Sequence, residues 1–230
     1  YLATRSACPL IIVSDSRCKK AVTKIVEDIS KIEEEMFFPK GSLSILDYNS
    51  KLGEETLTSS ENISLIVENL LSESPRDIHN NNSDVFVGEI GNNIVFIDKS
   101  CNINKASFEI INSKAFNNGL IPGVEQAVVV ESSVCEEVKN SFKKYGAYFL
   151  NKAEEQSIEK VLYDSNYNVR KELIGRSAKE IARIAGVEVD DDTKVLVVTK
   201  PYVSMKSPYS KEKYNPILSF YTEDNWLTAC

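Results

Sequence analysis

Asn117-Asn118-Gly119-Leu120-Ile121-Pro122-Gly123-Val124-Glu125-Gln126 is the stretch on which the reading of this chain turns. Asn-Gly and Pro-Gly pairs bracket two apolar residues, Leu120 and Ile121, so the backbone must turn sharply twice. Upstream, residues 103–116 follow a helix-like pattern; downstream, residues 127–131 (Ala-Val-Val-Val-Glu) read as a strand. A double turn between a helix and a strand is usually only a connector. What singles this one out is the ordered set of motifs around it.

Toward the N-terminus, residues 9–14 (Pro-Leu-Ile-Ile-Val-Ser) form a β-branched apolar run suited to a strand covered on both faces. The spacing of Ala21, Val22, Ile25, Val26, Ile29 and Ile32 predicts a helix over 17–36, stopped by Phe38-Pro39-Lys40-Gly41. Further strands are expected at 43–46 and 63–67. After the polar run His79-Asn80-Asn81-Asn82-Ser83-Asp84 the pattern restarts. Strands are expected at 85–88, 94–97, 127–131, 194–199 and 217–221, and helices at 103–116, 132–145, 151–162 and 177–185, the last closed by Gly186. Strand–helix alternation is the pattern of a mostly parallel sheet with crossover helices, so the fold class is α/β. A domain boundary is expected in the polar run, giving domains of residues 1–83 and 84–230.

The 230 residues, 42% of them hydrophobic and 27% charged, suit a globular protein with a substantial core. A formal net charge of −7 argues against nucleic acid or an anionic membrane as a partner, since both need a basic face. No apolar run approaches the ~18 residues of a membrane span, and no stretch reads as a signal peptide. Cys8, Cys18, Cys101, Cys135 and Cys230 are scattered and contain no C-x-x-C pair, as expected of incidental thiols in a reduced, cytoplasmic setting. The single histidine, His79, lies in the asparagine run, and no His/Cys/carboxylate spacing marks a metal site. Because it opens on Tyr1 and closes on Cys230 in a helix-like segment, the chain is expected to be an excerpt of a longer protein or a degraded copy.

Val95-Phe96-Ile97-Asp98-Lys99-Ser100, Ile110-Ile111-Asn112-Ser113-Lys114, Asn118-Gly119 and Glu125-Gln126, in this order, resemble the CoA-acylating aldehyde dehydrogenases, including the aldehyde half of bifunctional aldehyde-alcohol dehydrogenases. Leu2-Ala3-Thr4-Arg5-Ser6-Ala7, residues 145–151, Gly175-Arg176-Ser177-Ala178 and Glu212-Lys213-Tyr214-Asn215-Pro216 extend the resemblance over essentially the whole chain. It implies part of a Rossmann-type cofactor domain followed by an α/β catalytic domain, with NAD and CoA as the family's cofactors. In the family the turn reads approximately Asn-Gly-x-Ile-Cys-x-x-Glu-Gln, and its cysteine is the nucleophile. Here that position is Pro122, flanked by the retained Glu125 and Gln126.

Proline supplies neither a nucleophilic side chain nor a backbone N–H. The family's oxyanion hole uses the N–H of the nucleophile residue, so Pro122 removes both groups together; losing one such donor costs about 10²–10³ in rate. The resemblance also implies a Thr-Gly-Gly-Pro-Gly type turn near the dinucleotide. The aligned residues are Asn69-Leu70-Leu71-Ser72-Glu73, without a glycine to let backbone approach the ligand. Val87-Gly88-Glu89-Ile90-Gly91-Asn92 keeps only the final Gly-Asn of the next element, and Glu89 is one residue out of place for the general base of hydrolytic relatives. Glu212 occupies the place of a glutamate that bonds the nicotinamide ribose, or is a solvated charge between Lys211 and Lys213. Cys101 and Cys135 are expected to be ordinary residues at helix starts, too far along the chain to replace the missing thiol.

The expectation is a pseudoenzyme that binds no cofactor, retained as a homo-oligomer or in complex with an active homologous subunit. An active aldehyde/acyl-CoA oxidoreductase working through an unorthodox residue or through a partner's site is the alternative; a non-functional copy is a third reading.

Overall fold

The structure, a computed structural model, describes residues 2–14, 18–46, 51–69, 84–88, 91–204 and 207–229. The chain divides into two compact units, residues 1–70 with 74–88, and residues 71–73 with 89–230. His79, Glu89, Cys230 and the cofactor-turn positions Leu70, Leu71, Ser72 and Glu73 lie outside the described residues.

The first unit contains α1 (Leu2–Arg5), β1 (Leu10–Ile12), α2 (Lys19–Glu35), β2 (Leu43–Ile45), α3 (Lys51–Thr58), β3 (Leu65–Asn69) and β4 (Asp84–Gly88). β1 and β2 pair in parallel, Leu10 opposite Leu43 and Ile12 opposite Ile45, with α2 as the crossover between them. Val26 is the buried anchor of α2. β3 and β4 form a second parallel pair, Leu65 opposite Asp84 and Val67 opposite Phe86. Where one continuous sheet is expected from the sequence, the described residues form two separate two-stranded sheets. β4 belongs to this unit because its backbone bonds run to β3.

The second unit is a five-stranded, all-parallel sheet in the order β5-β6-β9-β8-β7. Its elements are β5 (Ile94–Ile97), α4 (Ile103–Ala115), β6 (Ala127–Glu131), α5 (Cys135–Lys144), β7 (Ala147–Phe149), α6 (Lys152–Leu162), α7 (Ala178–Ile184), β8 (Val195–Thr199), β9 (Ile217–Glu223) and α8 (Trp226–Ala229). The Val-rich runs of β6 and β8 are buried because parallel strands are covered on both faces. Alternation along β8 divides the core: Val195 and Val197 join Ile97, Ile111, Val130, Phe142 and Phe220 on one face. Leu196 and Val198 face Ile158, Leu162, Ile181 and Tyr209 on the other.

Helix starts follow local chemistry. Asn102 caps α4 by accepting from Lys105 N–H at 3.0 Å, and Asn151 and Ser177 form capping boxes with Glu154 and Glu180. Gly186, at φ 71°, lies just past the end of α7, as its position after residue 185 implies. The helix expected over 132–145 is a 3-10 turn, Ser132–Val134, followed by α5. β7 is an edge strand only 3 residues long, too short for a periodic pattern to reveal.

Phe142 is fully buried and meets Phe149 and Phe220 at ring-centroid distances of 6.5 and 6.1 Å. Phe142→Ala is expected to destabilise the five-stranded unit by about 3–5 kcal/mol, the cost of emptying a site of this size. Hydrogen exchange read at β6 and β9 checks it: protection unchanged there would show that the ring is not part of the central core.

Candidate functional site

The turn begins where α4 stops. Asn117 and Asn118 take left-handed backbone angles (φ 48° and 53°) and Gly119 continues at φ 74°. Asparagine tolerates this region and glycine does so freely, which is why Asn-Asn-Gly stands here. Asn118 Nδ2 donates to Gly175 O at 2.9 Å, tying the turn to the loop before α7. A Cβ on Gly119 would lie 2.5 Å from Asn215 O, so this glycine also permits a close backbone approach.

The second bend spans 121–124. Val124 N–H donates to Ile121 O at 3.3 Å, and Gly123 has φ 93°. A positive φ at the third residue, with proline at the second, is the type II arrangement. Pro122 and Gly123 are exposed on this unit, and Val124 is buried again. The turn's exit is stitched to the lead-in of β5: Gln126 N–H donates to Asn93 O at 2.8 Å, and Asn93 Nδ2 to Val124 O at 3.4 Å. The retained Gly91-Asn92 pair therefore sits beside the turn, not at a distant element.

Beneath lies a buried polar cluster. Gln126 is 1% exposed; its Oε1 accepts from Lys114 Nζ at 3.0 Å and from Lys213 N–H at 3.2 Å. Lys213 Nζ donates to Gln126 O at 2.9 Å and Lys211 O at 3.0 Å. Both lysines are fully buried. Burial holds the Lys114 amine far below its ordinary value, at about 7, against the opposing pull of Glu212 and Glu125. Lys213 is lowered by burial first and by Lys114 second. The Asn215 side chain is fully buried with neither of its polar atoms hydrogen-bonded among the described residues, and one Glu125 carboxylate oxygen is likewise shielded.

Glu212 is not a freely solvated charge. Its Oε2 accepts from Gly91 N–H at 3.1 Å, and the Tyr214 hydroxyl pKa is raised by burial first and by the nearby Glu212 charge second. The turn thus brings together Pro122, Glu125, Gln126 and the Glu212 segment of one unit. Within this unit, neither Cys101 nor Cys135 is brought to it. Cys101 and Cys135 lie beyond the C-terminal ends of β5 and β6, whereas the turn precedes the N-terminal end of β6. Burial pushes the Cys101 thiol up, and Cys135 Sγ lies 3.4 Å from Thr222 Oγ1. A cavity of about 780 Å³ opens elsewhere, lined by Glu155 and Glu159 of α6, by Tyr163 just past its end and by Lys200; no turn residue lines it. Among the described residues no cluster of His, Cys, Asp and Glu could hold a metal ion, and no helix is long and apolar enough to cross a membrane.

Sequence reasoning missed Lys114 and Lys213 as a pair. A signal existed for Lys114, which continues the stripe of Ile103, Ser107 and Ile110 on the buried face of α4. For Lys213 no periodicity points inward, because it lies in irregular chain before β9.

The cluster gives two expectations. A lysine that is neutral in the folded chain above pH ~7 but charged when unfolded makes stability rise with pH between that value and the ordinary 10.5, and fall as pH drops toward 7. Lys114→Met should flatten the rise between pH 7 and 9 by up to about 1.4 kcal/mol per pH unit. Denaturant unfolding at pH 7, 8 and 9 checks this, and equal slopes in both proteins would contradict it. Gly119→Ala should cost about 1–3 kcal/mol or more through strain and the Asn215 clash. Gly123→Ala, with no atom within 4 Å of its Cβ, should cost only the left-handed penalty of about 1–2 kcal/mol. The same unfolding measurement at one pH compares them.

No family model matches the chain. Among curated proteins it is 35% identical over 139 residues to an aldehyde-alcohol dehydrogenase of Clostridium acetobutylicum, covering 60% of this chain and 16% of that protein. It is 28% identical over 228 residues to the bifunctional aldehyde-alcohol dehydrogenase of Escherichia coli K12, covering 99% of this chain and 25% of that protein. An acetylating aldehyde dehydrogenase from Geobacillus thermoglucosidasius superposes with TM-score 0.92 at 28% identity, over 99% of this chain and 50% of that one. A probable aldehyde dehydrogenase from Listeria monocytogenes gives TM-score 0.91 at 33% identity, over 97% and 49%. The chain thus spans a quarter or less of these curated relatives and about half of the solved ones. By sequence and by fold the chain is a homologue of the CoA-acylating aldehyde dehydrogenases, matching part of the length of its relatives.

Proposed function

We propose that this chain is a catalytically inactive aldehyde-dehydrogenase-like protein that serves as a subunit, in the cytoplasm, alongside an active homologue or further copies of itself. One observation carries the reading. The turn keeps its frame through Asn118, Gly119 and Gln126, yet presents Pro122, with neither thiol nor N–H, where the resemblance places the nucleophile. A proline at the second position of a type II turn rigidifies it, so the substitution suits the geometry while removing the chemistry.

The residues do not fit NAD well. Glu212, at the position the resemblance gives to ribose binding, already accepts from Gly91 N–H at 3.1 Å. The sequence at the dinucleotide turn supplies Leu70, Leu71 and Glu73 in place of glycines. The positions of Cys101 and Cys135 at the other end of their strands give no support to catalysis through a substitute thiol. CoA, the family's second cofactor, has no acyl group to receive without the nucleophile.

Two measurements test the proposal. Calorimetric titration with NAD and NADP is expected to show no saturable binding at millimolar concentration; a micromolar dissociation constant would contradict it. Pro122→Cys returns a thiol and an N–H at a stability cost of about 0.4–1 kcal/mol from the lost proline constraint. With acetaldehyde, CoA and NAD the variant is expected to form no NADH, because hydride still lacks an acceptor site. Its new thiol, on an exposed turn, should alkylate faster than the partly buried Cys101 and Cys135. Robust NADH formation would confine the defect to one residue and defeat the pseudoenzyme reading.

A further inference from the structure

A second cavity, of about 420 Å³, lies between the end of α6, the 3-10 turn Lys171–Leu173 and α7, all within the larger unit. Its charged lining sets Lys160, Arg170, Arg176 and Arg183 against Glu172 and Glu180, four cations to two carboxylates in a chain whose formal net charge is −7. Like charges gathered around a concave site focus a positive field into it. The carboxylates relieve little of this. Glu180 Oε1 meets Arg176 Nη1 at 3.3 Å, but its Oε2 is taken up by Ser177 in the capping box of α7. Among the described residues, the side chains of Lys160, Arg183 and Glu172 make neither an ion pair nor a hydrogen bond. Two guanidiniums are held in place by backbone: Arg170 Nε donates to Tyr163 O at 3.0 Å and Arg176 Nε to Glu172 O at 3.2 Å. Both terminal nitrogens of Arg170 and one of Arg176 are left without a protein acceptor among the described residues. Asp164, whose carboxylate Arg170 also influences, is already bonded by the N–H groups of Asn166 and Asn168 at 2.8 and 2.9 Å.

We propose that this cavity binds a compact phosphate-bearing anion. Guanidinium forks match phosphate oxygens in bidentate pairs, and charge-assisted bonds of this kind are about twice as strong as neutral ones. The free donors come from four points: Lys160 on α6, Arg183 on α7, and Arg170 and Arg176 in the segment between them. A single carboxylate presents its acceptors along one edge, whereas a phosphate or diphosphate presents oxygens on every side, so the number and spread of donors select phosphate. The volume selects a small molecule, since such sites run to roughly 300–1,000 Å³. None of the lining residues belongs to the turn at 117–126, so the site is separate from the one where the resemblance places the chemistry.

Calorimetric titration of the 230-residue chain with sodium pyrophosphate at low ionic strength tests this. Saturable one-to-one binding is expected, with a dissociation constant of about 1 mM or tighter that weakens as salt is added. Lys160→Ala with Arg183→Ala should weaken it at least about tenfold. Both side chains are exposed and bond nothing within the described residues, so the denaturant unfolding midpoint should stay where it is. Lys105→Ala removes an exposed cation from α4, whose buried residues pack on the other face of the sheet, and should change the affinity by less than about twofold. No saturable heat, binding unchanged in the double variant, or an equal loss with Lys105→Ala would each overturn the proposal. So would citrate bound as tightly as pyrophosphate, or displacement of pyrophosphate by NAD. Neither the turn nor a thiol enters the measurement, so it stands or falls apart from the inactive-subunit reading.

Discussion

Two hydrogen bonds into one oxygen, Lys114 Nζ and Lys213 N–H onto Gln126 Oε1, tie together three parts of the larger unit. Lys114 closes the buried stripe of α4, Gln126 leads into β6, and Lys213 precedes β9. A buried amine without an acceptor is costly, and removing one partner of such a group costs more than the bond itself returns. Here carbonyl oxygens of Gln126 and Lys211 take up the Lys213 amine, and the Gln126 carboxamide takes up that of Lys114. The consequence is geometric. The end of α4 and the start of β6 are set relative to each other, so the loop between them has fixed ends whatever stands at its tip.

That constraint explains how the turn is shaped without any contribution from the side chain of residue 122. Asn118 on Gly175 O and Gly119 against Asn215 O set the first bend, and neither contact involves residue 122. Pro122 enters a second bend whose glycine, at φ 93°, already supplies the left-handed position. The frame of the turn is separable from the side chain at its tip because contacts of Asn118 and Gly119 with backbone hold it. Beside the turn, the partly buried Glu212 carboxylate accepts from Gly91 N–H.

The two units differ in how completely they satisfy the rules of a parallel sheet. In the larger, β6 and most of β8 are buried, and helices lie on both faces. In the smaller, Leu65, Val67 and Phe86 share an open face, and the seam of α2 has no partner among the described residues. Sequence periodicity cannot distinguish these cases. Ile25, Ile29 and Ile32 read as core from their spacing, because the pattern reports the presence of an apolar stripe and not the presence of what covers it.

Read locally, the sequence carries the α/β class, most of the strands and helices, the resemblance to CoA-acylating aldehyde dehydrogenases and the proline at residue 122, because periodicity, turn residues and motif order are local properties of the chain. Boundaries moved by a residue or two, α5 lost its first turn to a 3-10 segment, and β7 stayed hidden because three edge residues carry no period. Only the tertiary structure decided that Lys114 and Lys213, 99 positions apart by their numbers, meet on one glutamine. Only it decided that Glu212 is bonded by Gly91 instead of standing in solvent, and that β4 pairs with β3 and so belongs to the smaller unit. Each of these is a contact between residues far apart in the chain, and nothing in the local pattern encodes which distant donor reaches which buried acceptor.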